Sequence, residues 1–391
     1  MLLGKKKCRT FLLQSLKNLA IVGFAFVIVW GYALIALNLS FLNPISEAIK
    51  SFSITDKYYQ MMSEKESRMV VIVDLTNLIN RGAIAHALED IEACHPAVIG
   101  MDCVFEGMKD DTVADNAVRD VARKYDNIVY SYKLLDEQAD GSGYSRSIHS
   151  FFTDEIKVHE GITNMQRDNI YNGIKRKLKA GWLLNGNKEP SLVGEVVNIF
   201  AKKEVIKATG KDIKINFSPT HFATIDPTEV SQNKELIEGR IVLFGTLTDE
   251  TDMHYTPLGK MSGVQLLAYA TQTILENEQI KELPFWVQVI TAILMVMATN
   301  KLQLTYTDWT SGSKSPLIRY VLGSSYINGL ITFIWIAFIM WIAFLCFCLY
   351  NISIETGWPI AAMAFLSTSR SFYAACEAYY NIWKEGKQKK S

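Results

Sequence analysis

The 391-residue chain lacks an excess of charge of either sign, with 40 Lys plus Arg against 40 Asp plus Glu. That excludes a nucleic-acid binder of the usual kind, which needs a basic face. Cysteine is scarce too, at six residues. Cys8 lies in a basic N-terminus, and Cys346, Cys348 and Cys376 lie in or beside apolar stretches, so there is no disulfide framework. Cys94 and Cys103 are separated by most of a strand, roughly 20 Å at about 3.3 Å per residue. Bridging needs Cα atoms within about 7 Å, so both are expected to be free, buried thiols. Also missing are a G-x-x-x-x-G-K-[ST] loop, an H-E-x-x-H pair and a G-x-S-x-G elbow. The GSKS at Gly312–Ser315 lacks the upstream glycine spacing, and the six histidines show no ligand spacing. These gaps argue against an enzyme, a resident metal or a cofactor.

Charge is missing locally as well. None occurs between Lys17 and Glu47, between Arg319 and Tyr350, or from Thr356 to Arg370. A hydrocarbon core about 30 Å thick takes about 20 apolar residues to cross. The expected layout is a basic cytoplasmic N-terminus (1–18), a first span (19–42), an external domain (43–283), a second span (284–300), a cytoplasmic loop (301–319), a third span (320–350), a fourth (352–378) and a basic cytoplasmic tail (379–391). Basic residues cluster at 5–17, 301–319 and 384–390, so the positive-inside rule places both termini inside and the large domain outside. The first apolar run is long and no small-x-small cleavage site closes it, which favours an uncleaved anchor over a signal peptide. Arg370 falls within the last span, where a cation is costly. It either snorkels to the inner interface or sits deeper and takes a partner. Glu377, seven residues on along the same helical face, is the candidate.

The domain is organised around residues 70–107. VVIVD (Val70–Asp74) is a continuous apolar run ending in an acid, as expected of a strand buried on both faces. Ile84, Leu88 and Ile91 then recur at helical spacing, and His95-Pro96 ends that helix. AVIGMDCVF follows as a second strand carrying Asp102. This β-α-β pattern predicts an α/β fold: a three-layer, open, mostly parallel sheet with helices on both faces, one membrane helix before it and three after. Further along, a helix is expected over Thr112–Lys124 with Val113, Ala117 and Val121 inward, and a strand over Asn127–Leu134. Residues 135–160 read as a loop or excursion, and Gly161–Asn187 as a peripheral hairpin. A helix should run from Pro190 through Lys203, strands over Ile213–Phe217 and Arg240–Thr246, and a closing helix over Val264–Glu276. Ligands of such sheets bind beyond the carboxyl ends of the strands. Asp74, Asp102 and Asp252 are the candidate ligand-binding residues. They could meet around a polar ligand or cation, act as general acid and base, or simply cap helices and turns.

Two segments resemble the CHASE2 domain of bacterial membrane sensors. One is the strand–Asp, helix, VIGMDCVF pattern ending at Phe105. The other is LIEGRIVLFGTLTDETDMHYTPLGKMSGVQLLAYATQTIL, with Gly245, Asp252, Thr256-Pro257-Leu258 and Gly263-Val264. The resemblance covers roughly residues 42–283. It departs where family members often carry an acidic start and a Trp-Pro-rich loop, in place of which this chain has DLTNLIN from Asp74. The resemblance implies a sensor in the bacterial inner membrane with its domain outside. About 15 residues follow the last span, too few for an output domain of on the order of 100 residues. The expected function is therefore sensing, with output through another membrane protein or a second copy of the chain, and a small polar ligand as the stimulus. The alternative is a structural subunit that organises an envelope complex without sensing.

Overall fold

The computed structural model describes residues 2–38, 54–78, 80–138, 143–165, 173–354 and 356–388. They form two units, Met1–Thr55 with Lys281–Ser391, and Asp56–Ile280. The second holds a short helix α2 (Ile54–Gln60) at its start, then strands β1 (Lys65–Glu66) and β2 (Val70–Asp74), helix α3 (Arg81–Ala93), β3 (Val98–Met101), α4 (Thr112–Lys124), β4 (Ile128–Glu137), β5 (Tyr144–Ile148) and β6 (His159–Ile162). It continues with β7 (Lys177–Lys179), β8 (Gly181–Leu184), β9 (Asn187–Pro190), α5 (Leu192–Ala201), β10 (Asp212–Lys214), β11 (Thr220–His221) and β12 (Thr224–Ile225). Last come α6 (Lys234–Ile237), β13 (Ile241–Gly245), β14 (Met253–Thr256), β15 (Gly259–Ser262) and α7 (Gly263–Leu275).

The main sheet runs β12-β2-β13-β3-β4-β5-β8-β9, with β6 also paired to β4. Its β12-to-β4 half and the β4–β6 pair are parallel, whereas β5 lies antiparallel to β4 and β9 antiparallel to β8. The strands of the β-α-β unit, β2 and β3, are not neighbours. β13 lies between them, matching Gly245 to Asp74 on one side and Phe244 to Met101 on the other.

Alternation along the strands divides the core. Val71, Val73, Ile99, Met101, Val242, Phe244, Ile128 and Tyr130 join Ile84, Leu88 and Ile91 of α3 and Val118 and Val121 of α4 in one buried cluster. Each such side chain taken from water contributes about 1.5–3 kcal/mol. The opposite strand positions meet α5 and α7: a Cβ at Gly100 would lie 2.9 Å from Val196, and one at Gly245 2.9 Å from Val264. The helix starts follow local chemistry. Asn80, Asp111, Ser191 and Ser262 each cap a helix by accepting from a backbone N–H, and Ser262 forms a full capping box with Gln265. At the end of α3, His95 takes φ +57 ahead of Pro96, which turns the chain without a glycine.

Several expectations change. On α4 the inward residues are Ala114, Val118 and Val121, while Val113 is 78% exposed. The face is set by Asp115, which is buried on the same side. The stretch 135–160 is not all loop, since β4 runs to Glu137 and β5 and β6 follow. Paired backbone, not apolar patterning, builds those strands. Pro190 closes β9 and does not open α5. Cys103 is only partly buried, and Cys94 and Cys103 are both free.

The other unit contains α1 (Leu2–Asn38), β16 (Lys281–Glu282), α8 (Phe285–Ser311), a π-helical turn (Leu317–Leu322), α9 (Ser325–Tyr350), β17 (Ile352–Ser353), α10 (Gly357–Ala364) and α11 (Leu366–Gln388). α1, α8 and α9 are long and apolar enough to cross a membrane. The expected fourth span folds as two helices meeting at Phe365, because the α10 C-cap N–H turns back to Ala362 and Met363. The second span extends as helix through the expected loop to Ser311. Ile21, Val22 and Ala25 of α1 pack with Val296 of α8, Ile339 of α9, Ala362 and Met363 of α10 and Leu366 of α11.

Candidate functional site

Asp102 directly follows β3, and its N–H donates to Phe244 O at 2.9 Å. Asp74 ends β2. β13 therefore separates the two acids by two strand spacings, roughly 10 Å. Asp74 accepts from Thr76 N–H (2.9 Å), the Thr76 hydroxyl (2.5 Å) and Leu247 N–H (3.2 Å). It ties the end of β2 to the loop after β13. All three bonds fall on one oxygen, Oδ1, and within the expected trio the electrostatically coupled pair is made by the other two acids.

That pair is Asp102 with Asp252. Asp252 lies in the 3-10 turn Glu250–Asp252 ahead of β14. Its carboxylate presses against the Cα of Gly263, the first residue of α7, so that a Cβ there would overlap both carboxylate oxygens. The helix N-terminus favours the negative charge. A Cβ at Gly245 would meet Val264 at 2.9 Å and Asp102 at 3.1 Å. Two motif glycines thus clear the space the two acids occupy. His254 Nε2 stands 3.3 Å from Asp252 Oδ1. That is close enough for charge pairing, but Nε2 is buried and makes no hydrogen bond among the described residues. The Asp102 carboxyl is pushed up to about 7, first by burial and then by the charge of Asp252, against the pull of Lys133 and His254. One carboxyl poised near neutrality, a second carboxylate and an imidazole make a site suited to a polar or cationic group, or to a proton.

The other motif residues are structural. Phe105 is buried, its N–H donates to Ser150 Oγ at 3.2 Å, and its ring packs at 6.1 Å from Phe152. Thr256 Oγ1 donates to Gly259 O at 2.8 Å and accepts from Leu258 N–H at 3.3 Å. It braces the β14–β15 turn that contains Pro257.

Across the sheet, a cleft of about 510 Å³ opens where β3 ends, between the N-termini of α3 and α4. Arg81, Cys103, Phe105, Lys109 and Asp115 are among its walls. Arg81 Nη1 donates to the fully buried Asp115 carboxylate at 2.6 Å and Nη2 to Glu106 O at 3.0 Å. Lys109 N–H donates to Asp115 Oδ2 at 2.7 Å. Burial raises the Asp115 carboxyl, but the bonds from Arg81 and Lys109 outweigh it and hold the group below the usual carboxylate range. Cys103 is pushed up to about 11 by burial and by Asp102, so its thiol stays protonated at neutral pH. Sequence reasoning missed Arg81, Asp115, Lys133 and His254. For the first two a signal existed. A cation at the first position of a helix opposes the dipole and implies a partner, and Asp115 sits in register with Val118 and Val121 on the apolar face.

In the helical unit, Arg370 Nη2 donates to Gln303 Oε1 at 2.9 Å. Glu377 is not its partner. Glu377 pairs with Lys17 at 3.0 Å instead, because α11 packs along α1. Among the described residues no group of three or more His, Cys, Asp or Glu is arranged to hold a metal ion.

A mostly parallel α/β sheet with polar groups gathered at its strand ends, in a chain that also carries long apolar helices, has the build of a membrane-linked sensory module. Residues 25–300 match the CHASE2 domain model, and the chain belongs to that family of sensory domains. No curated protein and no solved structure matches it.

Proposed function

We propose that this chain is a membrane-anchored sensor of the bacterial inner membrane. Its α/β domain, a three-layer sheet, stands outside the cytoplasm and receives a small polar or cationic ligand at Asp102 and Asp252. Output passes through a membrane partner, either another protein or a second copy of the chain. The observation that carries this reading is the convergence of Asp102, Asp252 and His254 at the strand ends, made possible by Gly245 and Gly263. Ligands of open α/β sheets enter at such places. Asp74 ties the end of β2 to the loop after β13.

The test starts from gentle-detergent capture of the full-length protein with mass spectrometry of whatever accompanies it. The reading expects a stoichiometric membrane partner or self-association. It also expects that Asp102→Ala leaves the protein folded and inserted while the complex no longer responds to stimulus. An unchanged response removes Asp102 from the site. Loss of folding instead makes it a structural cap, and a complex indifferent to every change at the site is the behaviour of a purely structural subunit.

A further inference from the structure

The helical unit holds a charge that pairs with no carboxylate among the described residues. Arg370 on α11 is partly buried, and its only hydrogen bond among the described residues goes to Gln303 Oε1. Gln303 is neutral, and it is oriented for this role by its own amide, whose Nε2 donates to Thr332 Oγ1 on α9 at 2.9 Å. A guanidinium carries five N–H donors, so most of its capacity faces away from Gln303. The nearby carboxylate on the same helix, Glu377, is held by Lys17, which also lies 5.1 Å from the Tyr373 ring. Over residues 1–18, 301–319 and 370–391 the only acids are Asp308, Glu377 and Glu385, against a large majority of Lys and Arg.

Depth says what can reach the open donors. Gln303 lies 18 residues into α8 from Phe285, and Thr332 lies 18 residues back along α9 from Tyr350. At 1.5 Å per residue both are roughly 27 Å from the far ends of their helices, close to the hydrocarbon thickness of about 30 Å. The two helices run in opposite directions and still agree. A third polar contact supports the level: Asn300 Nδ2 donates to Asn18 Oδ1 at 2.6 Å, one residue from Lys17. The Arg370–Gln303 bridge between α11 and α8 therefore stands where lipid phosphates begin.

We propose that Arg370, presented by Gln303, forms a binding site for the phosphate headgroup of an anionic phospholipid on the membrane face that also carries the basic loop after α8. Guanidinium and phosphate match in geometry and pair by two parallel hydrogen bonds. An anionic lipid also supplies the net negative charge that this end of the unit lacks, which a zwitterionic headgroup does not. The site does not depend on what the external domain senses.

The test compares full-length protein in nanodiscs containing defined mixtures of phosphatidylglycerol and phosphatidylcholine, with bound lipid counted by native mass spectrometry. Wild type should retain phosphatidylglycerol preferentially. Arg370→Gln should lose about fivefold of that preference, the factor expected for one basic contact near a membrane surface. Arg370→Lys should keep part of it, and Lys17→Gln with Glu377→Gln should leave it unchanged. Equal retention of the two lipids by wild type overturns the proposal without any variant having to fold. So does unchanged retention in Arg370→Gln, or cross-linking of Arg370→Cys to a partner protein's acidic helix in place of lipid.

Discussion

Two acids, one buried and one partly buried, set how this protein should respond to pH. Glu92, near the end of α3, is pushed up to about 7 from an ordinary value of 4.5, chiefly by burial, with the Asn127 amide pulling it back and Asp126 adding to the rise. Its Oε1 and the hydroxyl of Tyr130 have no hydrogen-bond partner among the described residues. Below pH 4.5 folded and unfolded chains are both protonated at Glu92. Between 4.5 and 7 only the unfolded chain gives up the proton, so stability falls as pH rises through that window and stays reduced above it. Glu92→Gln should remove this loss and raise stability at pH 8 by on the order of 2–3 kcal/mol, with a flatter profile from pH 5 to 7, read from thermal melts in mild detergent. A wild-type profile that rises over that range would refute the assignment. Asp102 is raised in the same direction, from 3.8 to about 7. Asp102→Asn should therefore also stabilise the protein at pH 8 while removing the charge offered to a cationic ligand. Stability gained and response lost in one variant is the signature of a functional carboxylate.

Among the elements, the junction of β13, β14 and α7 shapes the site. Gly263→Ala drives a methyl group into the Asp252 carboxylate, and overpacking of this kind costs about 1–3 kcal/mol. The cause can be isolated by a double-mutant cycle. Adding Asp252→Gly should recover most of the loss, because the obstructing group is gone; strictly additive losses would show that the contact is not responsible. Ser262→Ala breaks the α7 capping box and should cost about 1 kcal/mol, with increased hydrogen exchange confined to the first turn of that helix. In the helical unit, Ala362 and Ser369 are buried within the bundle while Ala364 and Ser367 remain exposed. Small size alone does not tell an internal packing position from a docking one; the neighbours do. Ala362→Leu should destabilise the bundle itself. Ala364→Leu with Ser367→Leu should leave it intact and weaken association with a partner.

For the whole molecule the governing question is which side of the membrane each part occupies. A cysteine at Glu204, an exposed position of the α/β domain, should react with a membrane-impermeant maleimide in cells whose outer barrier alone has been opened. Labelling only after lysis would reverse the proposed topology. The partner reading has its own test at this scale. Truncation after residue 316, if still inserted, should keep a folded α/β domain, measured by unchanged exchange protection of β2, β3 and β13, and should release the partner. Retention of the partner would move the interface away from the last helices.

The local pattern of the chain was enough to determine its class. Apolar runs ending in Asp74 and preceding Asp102, the Ile84–Leu88–Ile91 stripe and the charge-free stretches are short-range signals, and they sufficed for β2, α3, β3 and the membrane-length helices α1, α8 and α9. Strand insertion was not legible, because it is a long-range event. β13 comes late in the chain yet pairs between β2 and β3, and it thereby parts Asp74 from Asp102 and brings Asp252 and His254 to the latter. The inward face of α4 also needed the fold, since Asp115 is tolerated inside only with Arg81 and the Lys109 amide to satisfy it. The same holds for Arg370. Its cost in an apolar segment was plain from the sequence, but that Lys17 had already taken Glu377, leaving Gln303 to receive the guanidinium, followed from how α11 packs along α1.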